Sequence, residues 1–99
     1  MNDYILLMHT DVPMGEETSE DAWKAYIERL DRTGNFAGGS SIGEGVCMSK
    51  SGAAKPITGH IGGYIRIKAD GFEEAQRLVA GNPIFEAGGT VEVRELPKT

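Results

Sequence analysis

Two helical stretches, each apolar along one side only, are interleaved with four strand-like runs, and this count constrains the chain more than any motif. Tyr4-Ile5-Leu6-Leu7-Met8-His9 is a short apolar run closed by Asp11, Pro13 and Gly15, the pattern of a buried strand. Thr18-Ser19-Glu20-Asp21 then offers N-cap side chains, with Thr18 and Asp21 spaced as a capping box. Trp23, Ile27 and Leu30 follow at helical spacing, and Gly34 suits a left-handed helix end. Phe36 to Gly45 is rich in Gly and Ser and leads into Gly45-Val46-Cys47-Met48-Ser49; the whole stretch is predicted as a bent second strand. Residues 51–56 form a turn. Ile61 to Lys68 is a third strand, with Ile61, Ile65 and Ile67 on one face and His60, Tyr64, Arg66 and Lys68 on the other.

A second helix starts at Asp70-Gly71-Phe72-Glu73, with Asp70 as predicted N-cap and Phe72, Ala75, Leu78 and Val79 as its buried stripe. Gly81-Asn82-Pro83 ends it, and Gly89 to Leu96 alternates as a last strand before Pro97. The order β-α-β-β-α-β is the split βαβ, ferredoxin-like arrangement of the α+β class: a four-stranded antiparallel sheet with two helices on one face. Two helices leave the other face bare. A second copy of the same sheet is the economical cover, so the expected assembly is a homodimer through its sheet faces, a dimeric α+β barrel.

The 99 residues are enough for one domain, 1–99, that buries about two thirds of its unfolded surface. A formal charge of −5 with no cluster of Lys or Arg argues against nucleic acid as a partner. The single cysteine, Cys47, has no internal disulfide partner, and no zinc-like Cys/His spacing exists. Between Val46 and Met48 it reads as a small strand hydrophobe rather than a reactive thiol. Met1-Asn2-Asp3-Tyr4 has no basic region, and Ile5 to Met8 is too short to span a membrane, so a soluble, cytoplasmic protein is expected. No phosphate-loop pattern is present, and no cofactor is expected.

Several stretches carry a resemblance. Tyr4-Ile5-Leu6-Leu7-Met8, Phe36-Ala37-Gly38-Gly39, Gly63-Tyr64-Ile65, Asn82-Pro83 and the closing Gly88-Gly89-Thr90-Val91-Glu92-Val93-Arg94 resemble, in order, the YCII-related or DGPF-domain family. The resemblance implies small bacterial proteins that form dimeric α+β barrels, mostly without an assigned role. Cofactor-independent enzymes such as polyketide monooxygenases, muconolactone isomerase-like proteins and chlorite-dismutase relatives share that architecture, but architecture alone transfers no chemistry. Two departures stand out. The Asp-Gly-Pro-Phe loop that names the family is replaced by Lys55-Pro56-Ile57-Thr58-Gly59-His60, and the first-helix histidine of the YCII branch falls on Trp23. No catalytic residue therefore carries over from the family.

The candidate site residues come from the strands. His60 is the first candidate for a general base, with Tyr64 and Arg66 on its face of the third strand. Glu92 and Arg94, on the less apolar face of the last strand, complete a candidate ligand-binding set in which an Arg holds an anion. The bland reading of Arg66, Glu92 and Arg94 is cross-strand or intersubunit ion pairing. His9, two residues before Asp11, is a second candidate base at the barrel mouth; one His and one Asp are too few for a metal site. Trp23 reads as core. Taking the first and third strands as parallel neighbours puts His9 and His60 at opposite ends, roughly 17–20 Å apart, joined only across a dimer. Three readings follow: a binder or transformer of a small organic molecule in a cleft by the dimer interface, a cofactor-independent enzyme with a His base, and a non-catalytic interaction module.

Overall fold

The computed structural model describes residues 1–52 and 55–98. Four strands, β1 (Asn2–His9), β2 (Phe36–Ser41), β3 (Ile61–Ala69) and β4 (Val91–Leu96), form one sheet in the order β2-β3-β1-β4, every neighbouring pair antiparallel. Helices α1 (Glu20–Arg32), α2 (Phe72–Arg77) and α3 (Pro83–Glu86) cover one face. The ferredoxin-like α+β class is therefore the one observed. Ala53 and Ala54, within the predicted turn at 51–56, lie outside the described residues.

Period-two burial explains why the helices take the face they do. Tyr4, Leu6 and Met8 of β1 and Ile65, Ile67 and Ala69 of β3 are buried against Tyr26 and Leu30 of α1 and Ala75 of α2. The alternate residues, among them Ile5, Leu7, Tyr64, Arg66, Lys68, Glu92 and Arg94, share the opposite face, which no helix or strand among the described residues covers.

Helix α1 is capped one residue later than its sequence suggests. Ser19, not Thr18, accepts a hydrogen bond from the Ala22 amide, and Gly34 at φ +77° follows the C-terminus. Helix α2 has Gly71 rather than Asp70 at its N-cap, and the Asp70 amide instead donates to Glu74 Oε1. Phe72 lies about half exposed, with its ring 6.0 Å from that of Tyr4, so the expected buried stripe keeps only Ala75 and Val79 fully inside. The chain between α2 and β4 is fastened by Asn82. Fully buried, it accepts from the Ile84 and Phe85 amides and so starts α3.

The second strand is shorter than predicted. It stops at Ser41, and residues 45–49 form no strand: Val46 and Met48 are exposed and Cys47 half-buried. An apolar, β-branched run becomes a strand only where a neighbouring strand takes its hydrogen bonds, and β3, which would have to continue as that neighbour, begins only at Ile61.

Candidate functional site

One correction brings the two histidines together. In a split βαβ unit, β1 and β2 run parallel and β3, inserted between them, runs back; β1 and β3 are therefore antiparallel. The end of β1 meets the start of β3. His9 pairs with Ile61, the Thr10 amide donates to the His60 carbonyl at 2.8 Å, and the His9 and His60 rings lie edge to face at 4.9 Å. The expected strand-length separation is replaced by contact within one chain.

A bulge shapes this corner. Met8 pairs with Gly63 and His9 with Ile61, leaving Gly62 as the extra residue of β3. A Cβ on Gly62 would come within 2.8 Å of the Thr10 methyl, which is why a glycine stands there.

Glu92 on β4 then orders His9. The His9 Nε2 lies 3.0 Å from Glu92 Oε1, and Glu92 Oε2 accepts from Arg94 at 3.0 Å. These hydrogen bonds, the Arg94 one first and the His9 one second, hold the Glu92 carboxyl below the usual carboxylate range. An ionised carboxylate only accepts, so His9 Nε2 carries the proton, and Nδ1 is the basic nitrogen of the neutral ring. Behind the pair, Asp11 closes on β4: its two oxygens accept from the Thr90 amide at 2.8 Å and the Thr90 hydroxyl at 2.6 Å. Those bonds lower the Asp11 carboxyl as well. The His9 amide donates to the Thr90 carbonyl, so the turn after β1 and the entry to β4 are fastened together around the imidazole.

The two carboxylates set a pH dependence. A group with a depressed folded pKa stabilises the fold above its unfolded pKa, about 4 for Asp and Glu, and that contribution disappears as pH falls through the folded value. Stability measured by urea unfolding is expected to fall below about pH 4, and Thr90→Val is expected to flatten that acid limb. An acid limb unchanged in Thr90→Val would show that the Asp11–Thr90 bonds do not differ between folded and unfolded chains.

His9 stands at the mouth of a cleft of about 590 Å³ between α1 and the sheet. Met8, Val12, Trp23, Ile27, Phe36, Ile65 and Ile84 make its apolar wall; Thr10, Ser40, Ser41 and Tyr64 border it with polar groups. Glycines 39, 62 and 63 thin the sheet at this point. Of the residues singled out from sequence, His9 and Tyr64 line the cleft. His60 touches His9 but is itself exposed and outside the lining. Arg66 is exposed on the uncovered sheet face, and Arg94, also largely exposed, reaches Glu92. Trp23, read as core, is half-buried and forms part of the wall. Sequence reasoning did not point to Thr90 with Asp11, nor to Phe36, Ile27 and Ile84 as cleft residues; the His-x-Asp spacing after an apolar strand was the available sign for Asp11. Among the described residues, no group of three or more His, Cys, Asp or Glu is placed to hold a metal ion, and no helix is long and apolar enough to cross a membrane.

A sheet with helices on one face and a side cleft between the first helix and the strand ends defines the class: a ferredoxin-like α+β protein. No protein-family model matches the chain, and no curated protein matches it in sequence. Among solved structures, it is similar to 5-chloro-2-hydroxyhydroquinone dehydrochlorinase (TftG) from Burkholderia phenoliruptrix AC1100, solved in complex with 2,5-dihydroxybenzoquinone. The TM-score is 0.56 at 19% identity, over 97% of this chain and 95% of that one. At that identity the likeness is one of fold.

Proposed function

We propose that this chain, as a YCII-related homodimer, binds a small organic molecule in the cleft between α1 and the sheet and acts on it through His9. The observation that carries this reading is the cleft itself: a size usual for small-ligand sites, walls of Trp23, Phe36, Met8 and three isoleucines, and one oriented imidazole at its mouth. A solved protein of the same fold, TftG, holds a hydroxylated quinone ring, which is compatible with a flat ligand here. Dimerisation is supported by the uncovered sheet face. Ile5, Leu7, Tyr64 and Leu96 lie half-buried there among charges of both signs, Asp3 and Glu92 with Arg66, Lys68 and Arg94.

The enzyme form of the reading is favoured by the His9–Glu92 pair. A carboxylate that holds one ring nitrogen orients the other and stabilises the imidazolium formed when the ring takes a proton. His60 packs on His9. Trp23 is the sole tryptophan, so its emission reports on the cleft alone. A panel of small hydroxylated aromatics is expected to contain compounds that change Trp23 emission saturably, and any turnover is expected to fall by about 10²–10⁴-fold in His9→Ala. A compound that binds by calorimetry yet leaves Trp23 emission unchanged would put the ligand site elsewhere. Turnover unchanged in His9→Ala would remove the base.

A further inference from the structure

We infer that the cleft selects an uncharged, flat ligand that offers an O–H or N–H to His9, and that it discriminates against carboxylates, phosphates and ammonium groups. The inference rests on the reading above, that this cleft is the ligand site, and names its substrate class.

A charged group entering the cleft would meet little that could hold it. Among the described residues, no Lys or Arg lines the cleft. The neighbouring cation, Arg94, is bonded to Glu92. Backbone amides are the other common anion partners, and four near this mouth are spent: His9 N–H on the Thr90 carbonyl, Thr10 N–H on the His60 carbonyl, Ile42 N–H on the Gly62 carbonyl and Thr90 N–H on Asp11. An entering anion would lose water, find only uncharged donors such as the Thr10 and Ser41 hydroxyls, and lie near two carboxylates, Glu92 and Asp11. Burying an unpaired charge is strongly unfavourable. The whole chain is also acidic, at −5.

A cation fares no better, although the local charge is negative. Both oxygens of Glu92 are engaged, one by His9 and one by Arg94, and both oxygens of Asp11 by Thr90. An ammonium group would have to break one of these pairs or lie against apolar wall. A neutral hydroxyl has a partner already placed: the basic ring nitrogen of His9 accepts its proton in a hydrogen bond, while the rest of a flat ring packs on Trp23, Phe36 and Ile27. Proton transfer along that bond gives an imidazolium beside Glu92 and an oxyanion on the ligand, so charge appears only after binding and as an adjacent pair.

Three compounds of one shape separate the classes near neutral pH: 2-naphthol, 2-naphthoate and 2-naphthylmethylammonium. Binding is read from the single indole N–H cross-peak of Trp23 in the intact protein. 2-Naphthol is expected to shift the peak saturably, with each charged analogue weaker by on the order of tenfold or more. Glu92→Gln removes a negative charge and is expected to narrow the naphthoate-to-naphthol ratio by about threefold. Either charged compound binding as tightly as naphthol, or a ratio untouched by Glu92→Gln, overturns the inference while leaving the cleft as the ligand site. A Trp23 peak that none of the three moves, with calorimetry showing naphthol bound, overturns both the inference and the reading beneath it.

Discussion

Leu6→Ala is expected to lower the unfolding free energy by about 3 kcal/mol, independently of protein concentration. Leu6 is fully buried at the centre of the sheet, between Ile65 of β3 and Val93 of β4, where the two paired strands hold their positions and a cavity cannot readily collapse. Its neighbour is the informative control. Leu7 points to the uncovered face, between Tyr64 and Glu92. If two sheets meet there, Leu7→Ala weakens the dimer, and its effect on stability is largest at high protein concentration and fades as dilution dissociates both proteins. Urea unfolding of both variants at two protein concentrations, with gel filtration beside it, decides the matter. A wild-type species near 10.6 kDa together with a concentration-independent Leu7→Ala would remove the dimer.

Gly39→Val is expected to be the other severe substitution, costing about 2 kcal/mol and closing the cleft. A Cβ at residue 39 would approach the Tyr64 carbonyl oxygen to 2.7 Å and the Ile65 Cα to 3.2 Å, both backbone atoms of the paired strand that cannot move without breaking the β2–β3 ladder. Gly43, four residues on, has nothing within 4 Å of such a Cβ, so Gly43→Val is the matched control and should be close to neutral. Thermal unfolding and ligand-induced change in Trp23 emission read the two effects separately. Equal stability of the two variants would mean that β2 is free to shift along β3.

How far the residues announced this arrangement depends on the range of the interaction. Strand faces were legible where the pairing is regular: Ile65 and Ile67 of β3 do pack on the helices, and Tyr64, Arg66 and Lys68 do face away, whereas Ile61, expected with the other isoleucines, lies beyond the Gly62 bulge, pairs with His9 and stays outside the core. Bulges were legible too, as Gly62 and Gly38 show, since only a tight approach or a positive φ demands glycine there. Caps were legible to within one residue, because Thr18 and Ser19 carry the same hydroxyl and only geometry chooses between them. Pairing direction was misread, and with it the distance between His9 and His60. The stretch at Val46-Cys47-Met48 was misread for a related reason: a propensity for strand cannot reveal whether a neighbour is present. Glu92 was picked out from its polar face, yet its bond to His9 spans 83 positions, and no local pattern encodes such a contact.

That long span has a consequence for assembly. β1, α1, β2 and β3 precede β4 in the chain, so the cleft walls contributed by Met8, Trp23, Phe36 and Ile65 can be in place while the imidazole still lacks its carboxylate. Only when β4 zips onto the free edge of β1 do Thr90 and Glu92 arrive, in register, at Asp11 and His9. Closing so large a loop is among the slower events of folding. A chain in which β4 has yet to pair therefore holds an apolar slot whose imidazole stands without its carboxylate, and the final strand completes that corner.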